Sequence, residues 1–168
     1  NSEVERYFAE YILPPKGFIY NDIKREIDLA KTGKNGGNFL AALGLLCYTE
    51  FMGKIMLQGN SQGRGKKSKY QYWFEAFLRS MGQPYVDLVD KQKVDIWHNF
   101  RCEMAHSYFA RTCIIAMLDN GQTAGIGIGS DGKYFFIVEK YFNDFMNACD
   151  QLYTKLIASK RTIWLQST

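Results

Sequence analysis

The amino-acid sequence predicts a mainly α-helical bundle with a small antiparallel β meander inserted before the last long helix. Over most of the chain apolar residues recur every three or four positions, which is the period of an amphipathic helix. Between about residues 112 and 138 the pattern changes to short apolar runs separated by turn sequences, and such runs are typical of strands. The length of 168 residues fits one domain, so residues 1–168 are assigned to a single domain with a β insertion at about 112–138.

The first half of the chain predicts four helices, each bounded by proline, glycine or polar residues. The first helix ends before Pro14, because proline disfavours helical geometry in the residue that precedes it. Gly33 ends the second, and Gly82 with Pro84 ends the fourth. The third is long and rich in small residues that would let a neighbouring helix approach closely. The predicted bounds are 3–13, about 20–33, 38–57 and 69–81.

The second half predicts one helix, three strands and a final long helix. The helix runs from about Tyr85 or Asp90 to Phe109, and the last helix spans about 139–159. Between them, 119–121 and 130–132 are turn sequences rich in Asn, Asp and Gly, which separate strands at 113–118, 123–129 and 133–138. The predicted core contains Phe39, Leu43, Leu46, Trp97, Phe100, Phe145 and Leu152.

Composition bears on the cellular compartment, on metal and cofactor binding and on membrane insertion. The four cysteines are scattered without a CxxC pair or metal-ligand spacing, so we expect a cytoplasmic protein with neither a metal site nor a cofactor. The most apolar stretch, 39–57, carries Glu50 and Lys54, which suits a buried helix better than a membrane span. No membrane insertion is expected.

Positive charge is concentrated in one segment of the chain. Net charge is only +4, yet 51–74 contains five basic residues and no acidic one. Glycine, serine and asparagine in the middle of this segment predict an exposed loop, and a local positive charge can attract phosphate. The residues predicted to bind RNA are Arg64, Lys66, Lys67 and Lys69.

Both histidines of the chain and one arginine lie within 13 residues, 96–108. In the segment FRCEMAHSY, Arg101 and His106 are separated by four residues, and this resembles the R-x4-H motif of HEPN domains. The order of the predicted helices is also similar, from about Tyr20 to Ser159. The resemblance implies a HEPN-like fold and a metal-independent endoribonuclease that acts as a homodimer, such as a toxin or defence effector. A nucleotidyltransferase-type antitoxin would then be a partner.

The chemistry of the two side chains fits RNA cleavage. A guanidinium is always charged and can hold phosphate oxygens, so Arg101 would offset charge at phosphorus. An imidazole, with an ordinary pKa near about 6.5, can take a proton from a ribose 2′-hydroxyl or give one to the leaving oxygen. Positions five apart on an ideal helix lie roughly 140° apart, so a second motif from a dimer partner would help to complete the site with His106.

The alternative is a non-catalytic HEPN-like module for dimerisation or for binding of nucleotide or RNA. In that hypothesis Arg101 pairs with Glu103 or with an acid on another helix, and His106 is a hydrogen-bonded residue near the helix end. Cys102 favours this alternative, since the family has Asn, Asp or His after the arginine. Auxiliary roles are assigned to His98, Cys102 and Glu103, including a Cys102–His106 nucleophilic pair.

Overall fold

The computed structural model describes residues 2–33, 36–60, 68–107, 113–117 and 121–159. Its seven α-helices are α1 (Ser2–Tyr7), α2 (Phe18–Lys31), α3 (Asn38–Met56), α4 (Lys69–Ser80), α5 (Gln83–Asp90), α6 (Glu103–Ser107) and α7 (Val138–Ala158). π-Helical turns continue α1 over Phe8–Ile12 and precede α6 over Trp97–Cys102. The strands are β1 (Cys113–Ala116), β2 (Ile126–Ile128) and β3 (Tyr134–Ile137). The described part of the chain is therefore mainly helical with a small sheet, as predicted.

Helix α3 is the centre of the bundle and packs against α2, α4 and α7. Its small residues Ala41 and Ala42 are fully buried. The closest approach occurs at Gly53, where a Cβ atom would lie 1.8 Å from the carbonyl oxygen of Trp73 on α4. Side chains larger than hydrogen would force these two helices apart, since packed interiors leave no spare volume.

By length and hydropathy alone, α3 could also cross a membrane, and among the described helices it alone meets that criterion. Core helices of soluble proteins meet it as well. In this fold 44% of the relevant window is buried inside the protein, which agrees with a core role for α3.

The helix predicted from Tyr85 or Asp90 to Phe109 is wrong in its continuity. The chain forms α5, leaves helical geometry after Asp90, and returns to helix only near Trp97. Lys93, with a φ of 54°, lies in this connection, and such a conformation interrupts a helix. The predicted end at Phe109 lies outside the described residues.

The sheet precedes the last helix as predicted, but the meander is a wrong prediction. Strand order is β1-β3-β2. Strand β1 pairs with β3 in parallel, with Ile115 opposite Phe136, whereas β2 pairs with β3 in the antiparallel direction predicted for the hairpin. Turn sequences indicate where strands end, but the pairing is decided by which face each strand buries. Here β3 is the central strand, and Phe136 and Ile137 are buried.

Four of the predicted core residues are buried, namely Leu46, Phe100, Phe145 and Leu152. The other three, Phe39, Leu43 and Trp97, pack against the core while remaining partly accessible. Hydrogen bonds satisfy polar groups inside it. The hydroxyls of Thr49 and Tyr141 lie 2.8 Å apart, and Tyr85 donates to Asp144 Oδ2 at 2.6 Å.

Candidate functional site

The segment that carries the predicted motif is a π-helical turn followed by a short α-helix. It is anchored by Phe100 and Met104, which are 0% and 1% exposed and lie four residues apart on one face. At the start, the backbone N–H of His98 donates to Asp95 Oδ1 at 3.0 Å. π-Helical turns are rare and occur often at functional sites. Arg101 belongs to the π-helical turn and His106 to α6.

Arg101 is paired with an acid from another helix. Its Nε atom lies 3.0 Å from Oε2 of Glu50 on α3, and the two side chains are 25% and 16% exposed. These two atoms are shielded from solvent, and their alignment falls short of hydrogen-bond geometry, so the contact is an ion pair. The Nη1 and Nη2 atoms make no hydrogen bond within the described chain. With respect to the described residues, the two Nη atoms of the guanidinium are therefore unengaged.

His106 is exposed near the C-terminal end of α6. No hydrogen bond or ion pair connects it with Arg101 in the parts of the chain that are described. His98 is exposed as well, three residues before Arg101. The structure thus gives solvent access to both imidazoles but does not bring either into contact with the guanidinium.

The auxiliary residues Cys102 and Glu103 are both partly buried. Burial raises the pKa of the Cys102 thiol, and the nearby Arg101 charge opposes that rise only in part. Since the thiolate is the nucleophile, this environment does not favour the Cys102–His106 pair.

The basic segment is described only at its two ends. Arg64, Lys66 and Lys67 lie outside the described residues, whereas Lys69 is the first residue of α4 and is exposed. Its Nζ atom lies 5.0 Å from the ring centroid of Tyr70 and 5.8 Å from that of Trp73. Lys54 Nζ lies 5.9 Å from the Trp73 ring on the other side of the helix pair. These are cation–π distances, so both ammonium groups are held near one indole.

The sequence did not predict a second feature, an apolar groove of about 310 Å³ that is lined in part by Cys47 of α3. Its walls come from three segments that are distant in sequence, so no local sequence pattern indicates it. We call it the aromatic groove; it is lined by Tyr7, Tyr11, Phe18, Cys47, Tyr48 and Phe51, with Ile19.

Another cavity, of about 390 Å³, lies between α5 and β2 and is lined in part by Gln83, Asp87 and Ile126. It contains no residue of the predicted motif. Within the described ranges, no group of three or more His, Cys, Asp or Glu side chains is arranged to hold a metal ion.

Comparisons with protein-family models, with curated proteins and with solved structures found no match.

Proposed function

We propose that this chain is a HEPN-type endoribonuclease that cleaves RNA without a metal ion and acts as a homodimer in the cytoplasm. One observation supports this most strongly. Glu50 holds Arg101 through its Nε atom, which leaves two guanidinium nitrogens unengaged on the helical segment that also presents the exposed His106.

The role of Arg101 follows from this geometry. A guanidinium has five N–H donors in a fixed fork, and a contact through Nε leaves the Nη donors for phosphate oxygens. The Glu50 carboxylate limits the rotation of the side chain, so less conformational entropy is lost when phosphate binds. Arg101 would bind the phosphate and stabilise the charge that develops on it in the transition state.

His106 would move the protons. Its exposure lets a ribose 2′-hydroxyl approach the imidazole, which would take the proton while the 2′-oxygen attacks phosphorus. The P–O5′ bond breaks, and the leaving 5′-oxygen takes a proton from the imidazolium of the second motif in the dimer, while the proton of the 2′-hydroxyl stays on His106. The products are a 2′,3′-cyclic phosphate and a 5′-hydroxyl, so atoms balance without water or metal in this step.

A homodimer would supply the second imidazole that one motif lacks. One histidine cannot easily serve both oxygens, because attack and departure occur on opposite sides of phosphorus. A second motif would provide another imidazole, as the predicted homodimer implies. If the chain is a toxin, a nucleotidyltransferase-type antitoxin is the partner that the resemblance suggests.

The second candidate is a non-catalytic RNA-binding or dimerisation module. It is favoured by the same ion pair, because the Glu50 carboxylate offsets the Arg101 charge, and by Cys102 at the position after the arginine. This candidate predicts binding of RNA without cleavage.

The experiment that tests the proposal incubates the purified chain with mixed single-stranded RNA in EDTA, followed by end-group analysis. Cleavage should persist in the chelator and yield 2′,3′-cyclic phosphate ends. RNA with a 2′-deoxy sugar at the cut position should resist, because it lacks the nucleophile. The absence of cleavage under all conditions would favour the binding module.

A further inference from the structure

The aromatic groove has the composition of a base-stacking site. Tyr11 and Phe18 are 49% and 58% exposed and line the same groove, so they belong to one exposed apolar patch rather than being scattered singly. The rings of Tyr7 and Tyr11 are already paired, with centroids 4.9 Å apart. An added flat ring would extend this pair, as unpaired bases do on aromatic side chains of RNA-binding proteins.

The walls offer ring faces rather than hydrogen-bonding groups. The Tyr48 hydroxyl is engaged, since it donates to Asp22 Oδ2 at 2.8 Å. Cys47 contributes a thiol whose pKa is raised mainly by burial, so at neutral pH it is uncharged. A groove of this kind would accept any base, because stacking does not distinguish donors from acceptors.

The groove and the candidate phosphate site share the helix α3, and Cys47 lies between them. Cys47 and Phe51 line the groove, and Glu50 lies between these two residues in sequence on α3. Residues three and four apart on a helix are neighbours, so Cys47 is adjacent to both the groove and the Glu50–Arg101 pair. The positive charge of Arg101 also acts on the Cys47 thiol. The Arg101 cation is therefore near the aromatic groove, and the two together complement a nucleotide with its flat base and anionic phosphate.

We propose that the aromatic groove binds an unpaired base of the RNA strand whose phosphate contacts Arg101. The substrate class is then single-stranded or looped RNA, with little preference for base identity at this position. A volume of about 310 Å³ is at the lower end of the range for ligand sites, about 300 to 1,000 Å³, and suits one nucleotide. This inference rests on the proposed function for the identity of its ligand.

The test measures binding by fluorescence anisotropy with a labelled 2′-O-methyl RNA, which cannot be cut because its 2′-oxygen is blocked. The proteins are wild type, Phe18→Ala, Phe18→Leu and the matched control Leu29→Ala. Leu29 lies on the same helix as Phe18 and is 44% exposed. The Phe18→Leu variant keeps an apolar side chain but removes the ring, so it separates stacking from general hydrophobic contact.

We expect both Phe18 variants to weaken binding of the single strand about fivefold to a hundredfold, the range implied by stacking of one base. Leu29→Ala should bind like wild type. A single strand in which every nucleotide is abasic should bind wild type and Phe18→Ala equally, since no base remains to stack on Phe18. Circular dichroism checks that each variant is folded. Comparison of the abasic strand with the intact strand tests the groove in the wild-type protein, without any substitution.

Unchanged affinity in Phe18→Ala would overturn the inference. Wild-type affinity in Phe18→Leu would overturn it as well, because the groove would then be an apolar contact such as an interface with a second copy. If binding depended on Phe18 but unmodified RNA were not cleaved, the proposed function would be contradicted. The assignment of the groove as a site for an unpaired base would stand. Cleavage of RNA together with binding that does not depend on Phe18 would support the proposed function and contradict the assignment of the groove. If wild type bound no RNA, both the proposed function and the assignment of the groove would be refuted.

Discussion

The Nε atom of Arg101 lies 3.0 Å from Oε2 of Glu50 and so connects the π-helical turn Trp97–Cys102 to the central helix α3. This pair gives Arg101 a structural role besides any role in binding phosphate. Both side chains are mostly shielded from solvent, where a charge left without its partner is destabilising. Substitutions at either residue must therefore be judged by stability as well as by activity.

Arg101→Ala should lower the free energy of unfolding by about 1 to 3 kcal/mol, since it leaves the Glu50 carboxylate partly buried and unpaired. The double variant Arg101→Ala with Glu50→Gln should recover part of that loss, because the isolated charge is removed. Urea denaturation of the single and double variants measures the coupling. Strictly additive effects would show that the pair contributes nothing to stability.

Gly53→Ala should be severely destabilising. Its added Cβ atom would meet the Trp73 carbonyl oxygen at 1.8 Å, and separation of two packed helices costs about 1 to 3 kcal/mol or more. Gly44→Ala is the matched control on the same helix, where Cβ would lie 2.8 Å from Cδ1 of Ile23, the movable end of a side chain. Thermal unfolding of Gly44→Ala should stay close to that of wild type. Equal melting temperatures for the two variants would contradict the packing described for α3 and α4.

The basic segment should contribute to RNA affinity through charge. Replacing Arg64, Lys66 and Lys67 together with Ala should weaken binding and lower the slope of log K against log salt, by at most about 2 for single-stranded RNA. Anisotropy titrations at several salt concentrations measure both quantities. If the slope were unchanged, these three residues would not contact phosphate.

The bounds of α2, α3, α4 and α7 were predictable to within about two residues because each depends on local chemistry. Ser68, for example, caps α4 by accepting a hydrogen bond from the Gln71 backbone N–H at 3.1 Å, and the predicted start at Lys69 is confirmed. Strand pairing was not predictable, since β1 and β3 are separated by 17 residues and their parallel register depends on tertiary contacts.

Only the part of the candidate site that lies on one continuous helical segment was predictable. Arg101 and His106 are recognisable from their spacing, whereas Glu50 is 51 positions earlier and its pairing with Arg101 requires the packing of two helices. One signal did exist. Glu50 is the only acidic residue in the largely apolar helix α3, and such a charge requires a partner when it is buried. The aromatic groove left no comparable signal, because exposed and buried aromatic residues follow the same helical period.

Alkaline pH should destabilise the fold partly through Cys113. Burial raises the pKa of its thiol from 9.0 to about 12. Between these values the unfolded chain loses the proton while the folded chain keeps it, so stability is full below about pH 9 and falls as pH rises towards 12. Urea denaturation at pH 8 and pH 10.5 should show a smaller loss in Cys113→Ala than in wild type. An equal loss in both proteins would assign the alkaline sensitivity to other groups, such as the buried tyrosines.

The central claim is that Arg101 and His106 carry out RNA cleavage, and single-turnover rates in EDTA test it most directly. The proteins to compare are wild type, His106→Ala, Arg101→Lys and the control His98→Ala, which removes the other exposed imidazole of the same segment. Arg101→Lys keeps the charge opposite Glu50 but loses the fork that holds phosphate. We predict losses of roughly a hundredfold or more for His106→Ala and for Arg101→Lys, and a much smaller loss for His98→Ala, because His98 lies outside the R-x4-H motif and has at most an auxiliary role. Equal rates in all four proteins would contradict the claim.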